Sequence, residues 1–216
     1  VGNLFERLQP LTASSHLTSG IIYIYLRLRY LTQFLSTIPS SIISSSSSAN
    51  ILDESFYSDK IDFIERAILT ILGSESLAES KAAAFLTAFL NASLVFAYED
   101  LREVPRWNNV SICLSQRIRS GLELVELEGV MGLCPDLLLW VLMLGRSGAN
   151  PLEIGARAWF AAEIREVEEQ FGVVVPLEVK EVSGLRYFEI AEGTMAKWMA
   201  SEANIDSEAV VKDEGE

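Results

Sequence analysis

Apolar residues recur at helical spacing along most of this chain. Ile61, Ile64, Ile68 and Ile71 follow one another every three or four positions, and Gly73 stands where a left-handed cap would close such a helix, which predicts a helix from Asp53 to Leu72. Good helix formers and the apolar set Phe85, Phe89, Leu90 and Phe96 predict a second helix across Ser76–Tyr98, broken before Pro105. From Val110 to Glu128, Leu114, Ile118, Leu122 and Val125 share one face, opposed by Gln116, Arg117, Arg119 and Glu123, and Gly129 and Gly132 are expected to interrupt the run.

Two stretches need more than periodicity. Ile21–Leu35 reads with period 2 as a half-buried strand, with Tyr23, Tyr25, Arg27 and Arg29 on one side. No strand partner of similar quality occurs elsewhere, so a helix is the better expectation. Pro135–Ala149, PDLLLWVLMLGRSGA, is apolar on every side of a helix from Leu137 to Leu144. As a helix those residues reach about 12 Å, against the roughly 30 Å of a bilayer core. Pro135 suits a first helical turn and Asp136 complements the positive end of the helix dipole. The segment is therefore expected to be a central core helix covered by amphipathic neighbours, with Trp140 buried and packed against the helix that carries Trp159. That next helix is expected to open at a capping box, Asn150-Pro151-Leu152-Glu153, and to close at Gly172.

These elements define an all-α fold, an irregular multi-helix bundle around a central apolar helix. Its expected organisation is an N-terminal helical segment (1–38), a Ser-rich flexible linker (39–50), a main helical domain (51–201) and an acidic disordered tail (202–216). The linker holds seven serines and no charge. The tail holds six acids and one lysine.

Composition narrows what such a bundle can do. The 216 residues are 50% hydrophobic, enough for one substantial core, and the formal net charge is −13. The charge is +2 over residues 1–50, −6 over 51–150 and −9 over 151–216. An acidic field repels phosphate, so direct nucleic-acid binding by this chain is not expected. No basic region precedes a short apolar core at the N-terminus, so no signal peptide is expected. With two cysteines, Cys113 and Cys134, the chain has too few for a zinc cluster, and a reducing intracellular compartment is the default.

No constellation carries chemistry. The single histidine, His16, lies among Ser and Thr residues without a nucleophile motif. No phosphate-binding glycine loop, dinucleotide fingerprint or zinc-protease helix motif occurs. Glu163, Glu166, Glu168 and Glu169 sit with Arg157 and Arg165 in the pattern of a solvated helix face. Glu99 and Asp100 are one acidic pair, too little for a metal–diphosphate site. Catalytic, cofactor-binding and metal-ligating residues are each expected to be none, and an enzyme is not expected.

Cys134–Phe160, CPDLLLWVLMLGRSGANPLEIGARAWF, resembles the C-terminal part of the fungal-specific transcription factor domain, the helical region accompanying a Zn2Cys6 DNA-binding cluster in fungal regulators. Pro135, Asp136, Leu138, Leu139 and Trp140 match a Pro-acid-Leu-Leu-Leu-Trp helix, and Arg157, Trp159 and Phe160 match an Arg-x-Trp-Phe helix. Of a Gly-Gly-x-Ala-like turn between them, Gly145 is kept, Arg146 stands at the second position, and Gly148 and Ala149 follow slightly later. The resemblance implies a regulatory, nuclear domain working through protein partners of the transcription machinery, with a small-molecule effector as a further candidate. It implies no catalytic residue. An all-helical enzyme with an unrecognised pocket and a plain helical adaptor are the alternatives.

Overall fold

The structure, a computed structural model, describes residues 6–11, 15–37, 48–74, 81–105 and 108–171. All regular structure among the described residues is helical. A 3-10 turn at Gln9–Leu11 precedes α1 (Ser15–Thr37), α2 (Ser48–Leu72), α3 (Lys81–Phe96), α4 (Asn109–Glu123), α5 (Leu127–Leu133), α6 (Pro135–Gly148) and α7 (Ile154–Phe171), and a π-helical turn, Ala97–Leu101, extends α3.

The all-round apolar segment is the middle of this bundle. Every residue of α6 except Arg146 is buried, with Pro135 at its first turn as its missing N–H allows. Length and composition alone would let Ala83–Leu101 cross a membrane, but 78% of it is buried inside the protein, as the core partner of α6. Helix α4 covers this pair with the face the periodicity predicts. Leu114, Ile118 and Leu122 are buried and Gln116, Arg117 and Glu123 exposed. Asn108 caps α4 by accepting from the Val110 and Ser111 N–H groups at 2.8 and 3.0 Å. Helix α1 is a helix and not a strand, and its Ile21, Ile24, Leu28 and Leu31 join the same core as Ile61, Ile64 and Ile68 of α2.

Three boundaries differ from the sequence expectation. Helix α2 begins at Ser48, so the last three positions of the stretch read as a linker are helical, while residues 38–47 lie outside the described residues. Gly129 and Gly132 do not interrupt a helix but sit inside α5; both point into open space, where a missing side chain costs no packing. The true breaks fall at Leu124–Glu126 and Cys134. Asn150 does not cap α7: its Oδ1 accepts from the Leu152 N–H at 3.0 Å in a separate turn, and α7 starts later, at Ile154. Gly172 and the acidic tail 202–216 lie outside the described residues.

The π turn redirects the chain leaving α3. It turns the Glu99 side chain inward, where its Oε2 accepts from the Ser147 hydroxyl of α6 at 2.7 Å. Arg102 leaves in another direction to bond Glu65, with Nε to Oε1 at 2.6 Å, and Asp62, tying the end of α3 to α2. Glu103 follows at φ 52°, a left-handed conformation that ends the element ahead of Pro105.

Candidate interaction site

Of the residues that carry the resemblance, Pro135, Leu138, Leu139, Trp140 and Phe160 are buried, while Arg157 and Trp159 are half-buried. The Trp140 ring is fully buried and lies 6.1, 5.5 and 5.8 Å from the rings of Tyr25, Phe89 and Phe96, on α1 and α3. The contact of α6 with α7 runs through Gly145 and Phe160, where an added Cβ would lie 2.3 Å from Phe160 Cε1. Gly148 is also constrained, less tightly, since a Cβ there would lie 2.9 Å from the Ser111 carbonyl oxygen of α4. The Ser115 hydroxyl donates to the Gly145 carbonyl at 2.6 Å, closing the three-helix junction. Trp159 is half-buried, 5.0 Å from the Phe160 ring, with the Arg119 guanidinium 5.5 Å over its face.

Asp136 does more than face a helix dipole. Both its carboxylate oxygens accept from Arg7 Nη2, at 3.0 and 3.1 Å, in a buried ion pair 129 residues apart in sequence. Sequence reasoning missed Arg7, because no local pattern signals so distant a partner. Beside the pair, burial pushes the Cys134 thiol far above its ordinary range, with the Asp136 charge adding to the shift and Arg7 opposing it.

Chemical groups elsewhere are dispersed. Cys113 is exposed and Cys134 buried, both as free thiols. Of the acidic run on α7, Glu166 and Glu169 are exposed, while Glu163 is half-buried and its carboxyl is raised by burial and by Glu166. Burial and the neighbouring Arg157 lower the Arg146 guanidinium. Among the described residues no three His, Cys, Asp or Glu side chains are grouped to hold a metal ion.

Two depressions stand out among the described residues. The first, about 570 Å³, separates α4 from the turn before α7; Arg119, Ser120, Glu123 and Glu153 line it, with Phe160 at its base. Its guanidinium is already engaged, with Arg119 Nε 2.7 Å from Glu123 Oε1. The second, about 510 Å³, is a groove between α1 and α2. Tyr23, Arg27, Tyr30 and Phe34 line one side at intervals of three and four residues, and Tyr57, Lys60 and Phe63 are on the other. Three of its rings stay open to solvent, Tyr23 at 39%, Tyr30 at 59% and Phe63 at 57% exposure. The Arg27 guanidinium lies 5.1 Å over the Tyr23 ring. The Tyr57 hydroxyl is buried without a hydrogen-bond partner among the described residues, and burial, then Glu103 and Asp100, push it well above the ordinary tyrosine range. Such a groove offers aromatic contact and positive charge, the features of a binding surface. Its signal was present in the sequence: read as a helix, Ile21–Leu35 puts Tyr23, Arg27 and Tyr30 on one stripe, and Phe63 falls off the isoleucine face of α2.

No protein-family model, no curated protein and no solved structure matches this chain.

Proposed function

We propose that this chain is the regulatory, protein-interaction domain of a fungal transcription factor-like protein, working in the nucleus through partners of the transcription machinery or a regulator, without a DNA-binding zinc cluster of its own. One observation carries the reading. The segment that resembles the family, residues 134–160, forms two helices joined where Phe160 packs on Gly145, with Trp140 in the centre of the core. A glycine at position 145 is thus a requirement of helix contact, in keeping with the glycine that the resembled turn carries there. The chain acts by contact, with no catalytic residue assigned. The polar cleft beside Arg119 is the place for a small-molecule effector.

The test is to fuse the full chain to an unrelated DNA-binding module and measure a reporter in fungal cells. Raised or lowered transcription relative to the module alone is the expected result. A silent reporter with folded, nuclear fusion protein overturns the reading. The chain by itself should bind duplex DNA no better than a neutral control at physiological salt, because its charge of −13 opposes phosphate. Sequence-specific retardation of DNA by the purified chain would contradict this.

A further inference from the structure

The geometry points to the α1–α2 groove as a docking site for an acidic amphipathic peptide segment of another protein, bound as a short helix with bulky apolar anchors. The inference deepens the interaction reading above and rests on it.

Three observations identify the occupant. First, the groove exposes Tyr30 at 59% and Phe63 at 57%, whereas Trp140, Phe85, Phe89, Phe96 and Phe160 are fully buried. Large rings left open in one groove mark a binding surface more than chance exposure does. Second, the groove has the shape of a helix seat. Tyr23 to Phe34 covers twelve residues of α1, a rise of about 16 Å or three turns, and the lining positions recur along one stripe. A partner helix with apolar anchors at i, i+3 or i+4 and i+7 matches that length. Third, the charge selects the sign of the partner. Helix α1 contains no carboxylate and two arginines, Arg27 and Arg29, in a protein of net charge −13. Among the described residues that line the groove, Arg27 and Lys60 stand against one carboxylate, Asp59, with Asp100 and Glu103 near the Tyr57 end. A basic, aromatic groove on an otherwise acidic molecule steers acidic chains to this face and repels them elsewhere.

The probe is a fluorescein-labelled 16-residue peptide rich in Asp and Glu, with Trp, Leu and Phe at helical anchor spacing, titrated into the full 216-residue chain. Fluorescence anisotropy should show saturable binding that weakens as salt rises. Replacing the peptide's acids by Asn and Gln, or its anchors by Ala, should each weaken binding about tenfold or more. Tyr30→Ala, Phe63→Ala and Arg27→Glu in the protein should do the same while keeping the wild-type urea midpoint, since all three side chains are exposed. The proposal is overturned by no binding, by equal binding of the uncharged peptide, by binding insensitive to the three substitutions, or by self-association in sedimentation that Arg27→Glu abolishes. The last outcome would make the occupant a second copy of this chain. A silent reporter with intact peptide binding would sink the transcriptional reading and leave the groove standing; the converse result would sink the groove alone.

Discussion

Phe160 rests directly on the backbone of Gly145, so closely that a methyl group there would come within 2.3 Å of the ring. Helices α6 and α7 meet at this point, and Ile118 of α4 stands 3.1 Å from the same position.

Gly145→Ala should therefore destabilise the protein, although alanine is the better helix former by about 1 kcal/mol. The overpacking cost, about 1–3 kcal/mol or more, dominates because ring and backbone are both confined. Urea midpoints for Gly145→Ala, Phe160→Leu and the double variant test this: the double should lose less than the two singles together. An unchanged midpoint for Gly145→Ala would show that the two helices can part freely.

Trp140→Ala removes a fully buried ring and should cost about 3–5 kcal/mol, a large share of the 5–15 kcal/mol typical of a domain. In a double-mutant cycle the loss should couple to Phe89→Ala, whose ring lies 5.5 Å away. Trp159→Ala should cost about 1–2 kcal/mol, since Trp159 is half-buried and its cation–π partner is Arg119. A near-neutral Trp140→Ala would defeat the buried-hub account.

Breaking the Arg7–Asp136 pair on one side should cost about 3–5 kcal/mol, because the partner's charge is left buried, with side-chain exposures of only 6% and 11%. Replacing both with apolar residues of similar volume should recover most of that loss. Thermal melts of Arg7→Met, Asp136→Leu and the pair would decide. Equal losses for the single and double variants would mean the ion pair itself, beyond its packing, holds the N-terminal turn to α6.

The two thiols should differ sharply. A thiol reagent should titrate Cys113 in the native protein and reach Cys134 only on unfolding, as the first is exposed and the second buried with a raised pKa. Cys134 and Tyr57 are both held protonated in the fold above their ordinary values of 9.0 and 10.0. A group with a raised folded pKa stabilises fully below its unfolded value and loses that contribution as pH rises through the window above it. Melting temperature should consequently fall from about pH 9 upward, and Cys134→Ala should shallow that fall; an alkaline slope identical in the variant would assign it elsewhere.

Local pattern was enough to read the helices but not their joints. The stripe Leu114, Ile118, Leu122 faces the core as its spacing predicts, and Leu137–Leu144 is buried because an all-apolar helix has nowhere else to go. Gly129 and Gly132 misled because a glycine lowers helix propensity by only about 1 kcal/mol, which the flanking residues of α5 overcome. Asn150 misled because its side chain closes a turn on its own backbone, the same hydrogen bond that begins a cap. Arg7 and Asp136 find each other only after the bundle assembles, so no window of sequence contains the pair. The aromatic groove was legible as a stripe, but its exposure depends on how α1 and α2 are set against the core.

The approach of α3 and α4 at Gly121 bears on the order of assembly. A Cβ at Gly121 would lie 2.9 Å from the Ala84 carbonyl oxygen and 3.3 Å from Ala88 Cβ, so the two backbones are nearly in touch. These helices are neighbours in sequence, and joining them needs the closure of only a short loop. Local contact order therefore predicts that this hairpin forms in the transition state and that α6 condenses onto it afterwards. Substitutions at the Gly121 contact should accordingly slow folding, whereas those between α6 and α7 at Gly145 should chiefly hasten unfolding.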